Sequence, residues 1–245
     1  MSLNKMMIDE YLRQVGKKYR KMQGKKMPAE IILIGGASCI INYGFREVTN
    51  DVDGLYINSS ALKDAIKEVG RENNIGDDWL NDDFKFTSSF SDKIILHSTY
   101  YKEFSNCLTV RTVKSEYLVA MKLKSNRAYK NDLSDIVGIL REQLEIGEPL
   151  NFEKIDSAVK SLFGDWTGID ESTKNNLIDL LSLDADSLSI IYDDFRNLET
   201  SNADILLNLV DKYKISDNNA NDILSSNEGE VNFKPIIKDI KDKLK

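Results

Sequence analysis

The sequence predicts an α+β protein with an α-helical C-terminal region, and three observations carry that expectation. Ile31, Ile32, Leu33 and Ile34 form a continuous apolar run that stops at Gly35-Gly36, as expected of a strand covered on both faces. A second extended stretch opens at Asp51-Val52-Asp53 and reaches Ile57. Beyond Gly147 the apolar residues recur at helical spacing throughout.

Taken in order, Asn4 to Met22 is predicted as an amphipathic helix, with Met7, Ile8, Tyr11, Leu12, Val15, Tyr19 and Met22 on its apolar face. Its outer face is basic (Lys17, Lys18, Arg20, Lys21, then Lys25 and Lys26) and reads either as a solvated face or as a contact for nucleic-acid phosphates. After the first strand, Gly35-Gly36 allow a tight turn and close approach of a ligand to the backbone. A short helix over Ala37–Tyr43 follows, with Gly44 as its C-cap. The helix N-terminus, with the Ser38 hydroxyl nearby, is an anion site by dipole and unpaired N–H groups. Asp51 and Asp53, two apart on a strand, point to one face with Cα atoms about 6.6 Å apart. Such a pair holds a divalent cation or, on the plainer alternative, forms a hydrated acidic strand end.

Ser59 or Ser60 caps a predicted helix reaching Asn73, with Leu62, Ile66 and Val69 inward. Gly76 to Asp83 is rich in turn residues, and Trp79 within it reads as core. Two more strands are expected at Lys93–Ser98 and Asn106–Val113, joined through Thr99–Phe104. Ser115–Lys124 is helical and sets Lys122 among Leu118, Ala120, Met121 and Leu123, an expensive place for an ammonium without an anion. It either faces Asp51, Asp53 or a phosphate, or snorkels beside Lys124. Asp132 and Asp135 share a helical face and either orient Lys122 or Arg127 or complement a helix N-terminus. In the C-terminal region the predicted helical faces run through Phe152–Leu162, Leu177–Leu181, Leu188–Phe195 and Ile205–Val210. A last one, opened by Pro235, reaches Leu244; turns are expected near Gly168, Asp184, Ser201 and Asn218.

Charge divides the chain as well. Residues 1–147 carry a balance of +2 and residues 148–245 one of −9, within a net charge of −7 over 245 residues. That shift places a domain boundary near Gly147, giving domains 1–147 and 148–245. Two cysteines make no disulfide framework, and one histidine, His97, argues against a zinc site. With neither an apolar leader nor a membrane-length run, a cytoplasmic protein without membrane contact is expected.

Gly35-Gly36 followed after a spacer by Asp51-Val52-Asp53 resembles the signature of the nucleotidyltransferase superfamily, the DNA polymerase β-like fold. Arg46-Glu47-Val48-Thr49-Asn50-Asp51-Val52-Asp53 is similar to the R-x-x-T-x-D-x-D form of small bacterial members, the abortive-infection toxin type among them. Leu118 to Leu123 and the Arg127, Asp132, Asp135 element resemble a second patch of those proteins, so the likeness spans about residues 28–140. The resemblance implies a mixed β-sheet flanked by helices. It implies an NTP held by Gly35, Gly36, Ser38, Arg46 and Thr49, and Mg²⁺ or Mn²⁺ on Asp51 and Asp53. Lys122 would act beside the phosphates, with Asp132 and Asp135 behind it. The implied activity is transfer of a nucleoside monophosphate to RNA, protein or a small molecule, as in the toxin of a toxin–antitoxin or phage-defence system with an antitoxin partner. The sequence departs from the pattern at one point. No third carboxylate stands on the later strands, with Asp92 and Glu103 at strand ends the nearest, and this supports the alternative of a catalytically degenerate fold that binds a nucleotide, RNA or protein.

Overall fold

A computed structural model describes residues 2–23, 27–57, 60–227, 229, 231 and 234–243. Lys25, Lys26, Ser59 and Leu244, named above, lie outside the described residues. The chain forms two compact units, Met1–Leu118 and Val119–Lys245.

The first unit is built on a mixed five-stranded sheet: β1 (Ala29–Leu33), β2 (Val52–Ile57), β3 (Leu80–Asn81), β4 (Ser98–Phe104) and β5 (Leu108–Val113). Their order is β3-β2-β1-β5-β4. β1 runs antiparallel to β2 and parallel to β5, β2 is parallel to β3, and β4 and β5 form an antiparallel hairpin. The central strand β1 is buried on both sides from Ile31 to Leu33, which is why that stretch is apolar without interruption, and only Glu30 near its start is partly exposed. One face of the sheet lies under α1 (Lys5–Gln23) and α3 (Ser60–Glu72). There Ile31, Leu33, Val52 and Val110 meet Ile8, Leu12 and Val15 of α1 and Leu62, Ile66 and Val69 of α3. Each such side chain removed from water contributes roughly 1.5–3 kcal/mol. Trp79 packs edge-on against Tyr11 and donates its indole N–H to the Ile66 carbonyl at 3.0 Å, a core residue as expected.

Several expectations are corrected. The run Lys93–Ser98 is not a strand: Asp92–His97 is a 3₁₀ helix, and β4 occupies the stretch taken as its connection. Ile94 is buried but Leu96 is 77% exposed, so the apolar run does not face one core. The hairpin turn decides the pairing instead. Ser105 and Asn106 both adopt left-handed φ, setting Phe104 opposite Leu108 and making a strand of the Thr- and Tyr-rich segment before them. His97 therefore ends a 3₁₀ helix, stacked on Tyr117 with ring centroids 3.8 Å apart. α2 (Gly35–Asn42) starts two residues early and closes at Tyr43 in extended backbone, not through a left-handed Gly44. Asp51 precedes β2, and the short strand β3 was unforeseen.

α4 (Ser115–Ser125) spans the division between the units. The second unit continues with α5 (Asp132–Glu145), α6 (Phe152–Phe163), α7 (Glu171–Leu180), α8 (Ala185–Leu209), α9 (Ala220–Ser225) and α10 (Lys234–Lys243). The turn expected near Ser201 is absent, because two predicted helices are one continuous α8. Thr200-Ser201-Asn202 read as a break, but Glu199 and Asn202 are buried with partners on other elements. No helix among the described residues is long and apolar enough to cross a membrane.

Glu199 shows how α8 holds α5. The N-terminus of α5 is buried, and its N-cap, Asn131, makes no side-chain cap. Glu199 supplies it from the neighbouring helix: Oε1 accepts from Leu133 N (2.8 Å) and Ser134 N (3.4 Å), while Oε2 meets the Ser134 hydroxyl. Burial, reinforced by Asp135 and Asp132 and opposed by the Ser134 and Leu133 hydrogen bonds, pushes its carboxyl up from an ordinary 4.5 to about 8. A carboxyl neutral in the fold and ionised in the unfolded chain costs stability as pH rises from about 4.5 to about 8, and not below. Glu199→Gln keeps both acceptor and donor, so urea denaturation across pH 5 to 8 is expected to lose this decline in the variant. An equal decline in both proteins would show that Glu199 does not titrate in that range.

Candidate functional site

The candidate site grows from the turn after β1. Gly35 opens α2 at φ +53°, a left-handed conformation that a side chain would strain. The first N–H groups of α2 have no carbonyl to bond within the helix. A Cβ at Gly36 would lie 2.6 Å from Arg46 Nη2 and 2.9 Å from Thr49 Oγ1, and one at Gly35 would lie 3.3 Å from Asp53 Oδ2. The two glycines are therefore a bare floor on which a guanidinium, a hydroxyl and a carboxylate converge.

The chain between α2 and β2 is fixed around this floor. Arg46 donates to the Val48 carbonyl (3.2 Å) and to Thr49 Oγ1 (3.4 Å), and Thr49 Oγ1 donates to Asp51 Oδ1 at 3.5 Å. Leu3, 2% exposed, straps the loop from outside through Leu3 N to Thr49 O (2.7 Å) and Thr49 N to Leu3 O (2.9 Å). Ile34 N donates to Asp53 O at 2.9 Å, tying the turn to β2. Ser38 is placed elsewhere. It is fully buried, and its hydroxyl accepts from Val113 N at 3.0 Å, joining Asn42 in fastening α2 to β5. The structure thus gathers Gly35, Gly36, Arg46, Thr49, Asp51 and Asp53 at one turn, and turns Ser38 into the protein.

The sheet register shows what faces the aspartates. Leu55 pairs with Ile32, and Ile32 with Arg111, so the face bearing Asp53 and Leu55 carries Thr109, Arg111 and Val113 on β5. Arg111 turns toward β4, donating to Ser98 Oγ (2.8 Å) and Ser98 O (2.6 Å). Among the described residues no group of three or more His, Cys, Asp and Glu is placed to hold a metal ion. Glu103 lies on the edge strand β4, opposite Thr109, and Asp92 in the 3₁₀ helix.

The other predicted site residues belong to the second unit. Lys122, 7% exposed, sits between Asp132 Oδ1 (2.9 Å) and Asp135 Oδ2 (2.8 Å). It does not snorkel. Asp132 also takes Arg127 Nε at 2.9 Å and the Arg127 backbone N–H at 3.1 Å, while Arg127 Nη1 reaches Asp217 at 3.1 Å. Both readings of the two acids hold, since they orient the cations and lie in the first turn of α5. Burial alone would raise the Asp132 carboxyl, but Lys122 and Arg127 hold it well below the carboxylate range. Glu199, Asp217 and the Leu3 strap were not foreseen; each meets its partners across 46 residues or more, and no local pattern marks them. On the basic face of α1, Lys18 is engaged by Glu68 and Glu72 of α3, both at 2.7 Å, and Arg20 donates to the Ser105 carbonyl.

A mixed sheet with a glycine turn, and with one aspartate just before the next strand and one within it, defines a nucleotidyltransferase-like protein. A family model described as "Nucleotidyltransferase of unknown function (DUF6036)" matches residues 10–175, and the chain belongs to that family. Neither a curated protein nor a solved structure matches the chain.

Breaking the buried network should destabilise the second unit. Asp132→Asn leaves two cations short of a charge in a dry site and is expected to cost on the order of 3 kcal/mol in urea denaturation. Lys160→Ala, which removes only the exposed partner of Asp156 on α6, should cost almost nothing. Equal effects from the two would show that the network carries no special stability.

Proposed function

We propose that this protein binds a nucleoside triphosphate with Mg²⁺ at the Gly35–Asp53 turn and transfers its nucleoside monophosphate to an acceptor hydroxyl. One observation carries the reading: Arg46, Thr49 and Asp53 all converge on side-chain-free backbone at Gly35 and Gly36. Triphosphate oxygens need close backbone approach, donors and positive charge, which the glycines, the start of α2 and Arg46 offer together. Thr49, 3% exposed and strapped by Leu3, holds Arg46 on one side and Asp51 on the other. Two carboxylates suit Mg²⁺, which is commonly held by one or two of them plus substrate phosphates and water. Asp51 and Asp53 would be its protein ligands, and the bound ion would neutralise charge on the phosphates as pyrophosphate leaves. In the transfer the acceptor oxygen bonds to the α-phosphorus and the bond to the β-phosphate oxygen breaks. Lys122, between two aspartates, serves in this reading as a positioning residue for the α4–α5 connection.

A second reading keeps the binding and drops the transfer. It is favoured by the β5 face, where Thr109, Arg111 and Val113 stand and no carboxylate does.

Calorimetric titration of each NTP, with and without Mg²⁺, tests the site. Mg²⁺-dependent binding by the wild type, lost in Asp51→Ala/Asp53→Ala with the melting temperature retained, is the expected result. Binding of no NTP, or unchanged binding in the double variant, would reject it. Incubation with α-labelled NTP and candidate RNA, protein and small-molecule acceptors then separates transfer from binding alone.

A further inference from the structure

A second cleft in the first unit lies on the other side of the sheet from the aspartate pair. Tyr56 pairs with Ile31 on the face that α1 and α3 cover, whereas Asp53 and Leu55 belong to the opposite face. The cleft has a volume of about 290 Å³, at the lower end of the range for small-ligand sites. Its floor is apolar, formed by Tyr56, Ile66 and Leu80. Its walls carry opposite charge: α3 contributes Lys63 and Lys67, and the segment around β3 contributes Asp77, Asp78, Asp82 and Asp83.

Part of this charge is internally satisfied. Asp77 is held by Arg71, with Nε at 3.0 Å, and Asp82 by Lys85 at 2.7 Å and Lys63 at 3.5 Å. The remainder is not. Among the described residues the exposed Asp78 and Asp83 carboxylates and the exposed Lys67 ammonium make no hydrogen bond or ion pair to the protein and so are open to a ligand in place of water. The Tyr56 hydroxyl is buried with no hydrogen-bond partner. Buried polar groups are nearly always paired with protein or water, so a phenol with no protein partner that borders a cleft is available to a molecule held there. A pure cation would meet the like charge of Lys63 and Lys67, and a pure anion that of Asp78 and Asp83. A molecule with one charge of each sign and an apolar body satisfies both walls and the floor.

We infer that this cleft binds a small zwitterion of the amino-acid class, its ammonium toward Asp78 and Asp83 and its carboxylate toward Lys67. The site is separate from the Gly35–Asp53 turn, and its occupancy does not depend on nucleotide binding there.

The test is ligand-observed NMR on the full chain with L-phenylalanine and its two half-charged analogues, L-phenylalaninamide and N-acetyl-L-phenylalanine. Saturable binding of the zwitterion is expected in the millimolar range, with each analogue weaker by roughly tenfold. Lys67→Ala should weaken L-phenylalanine and leave the amide unchanged. Asp78→Asn/Asp83→Asn should weaken L-phenylalanine and the amide and leave the N-acetyl compound unchanged. Tyr56→Phe should lower affinity several-fold without lowering the melting temperature, since the hydroxyl has no partner in the fold to lose. No saturation by any of the three, equal binding of all three, or tightest binding of the amide or of the N-acetyl compound would each overturn the assignment.

Discussion

The first unit depends on one close approach. At Gly36 the backbone comes so near Arg46 and Thr49 that no Cβ fits between them, and at Gly35 the left-handed φ and the Asp53 carboxylate impose a similar limit. The surrounding elements keep that approach in place. β1 delivers the turn from the fully buried Ile31–Leu33, Ser38 and Asn42 fasten α2 to β5, and Leu3 straps the loop that carries Arg46 and Thr49. A guanidinium, a helix start and two carboxylates are brought together beside the buried Leu3, Ala37 and Val52. Backbone and side-chain hydrogen bonds tie the turn to elements that are themselves well packed.

The second unit solves a different problem, which is burying charge. Lys122, Asp132 and Asp135 are almost fully removed from water, and Arg127 largely so. Ion pairs of this kind are poor sources of net stability, yet breaking one is costly because the survivor stays desolvated. Their effect is to fix the α4–α5 connection in one arrangement. Arg127 is bound at its backbone N–H and its guanidinium by the same Asp132, and Glu199 caps the start of α5 from α8. Acid removes the Asp132 contribution as the pH falls through the carboxylate range, whereas rising pH works against Glu199.

How much was legible from the residues follows from the range of the interactions. The strand–turn–helix at Ile31–Asn42 and the Asp51-x-Asp53 spacing are local patterns, and the structure places them next to one another. The helical spacing of α1 and α3 likewise gave their buried faces. β4 was misplaced because its pairing is decided by the left-handed turn at Ser105-Asn106, not by the apolar run before it. α8 was split in two because Thr200-Ser201-Asn202 has the composition of a turn, and the burial that overrides it comes from residues 128–134. Lys122 is singled out by its apolar neighbours as a cation in need of an anion, but the partners expected there are Asp51, Asp53 or a phosphate. The ones the structure shows are Asp132 and Asp135, which the sequence offers only as acids able to orient it. Ser38 was assigned to the turn by proximity in sequence, but the helix rotates its hydroxyl toward β5.

The most direct test of the central claim is the nucleotide affinity of Gly36→Ala, measured by titration at fixed Mg²⁺ concentration. An added methyl must displace both the Arg46 guanidinium and the Thr49 hydroxyl from the turn. The account predicts a folded variant with affinity lower by roughly tenfold or more. A folded variant that binds the same NTP as tightly as the wild type would show that the bare floor at Gly36 is not where the phosphates sit.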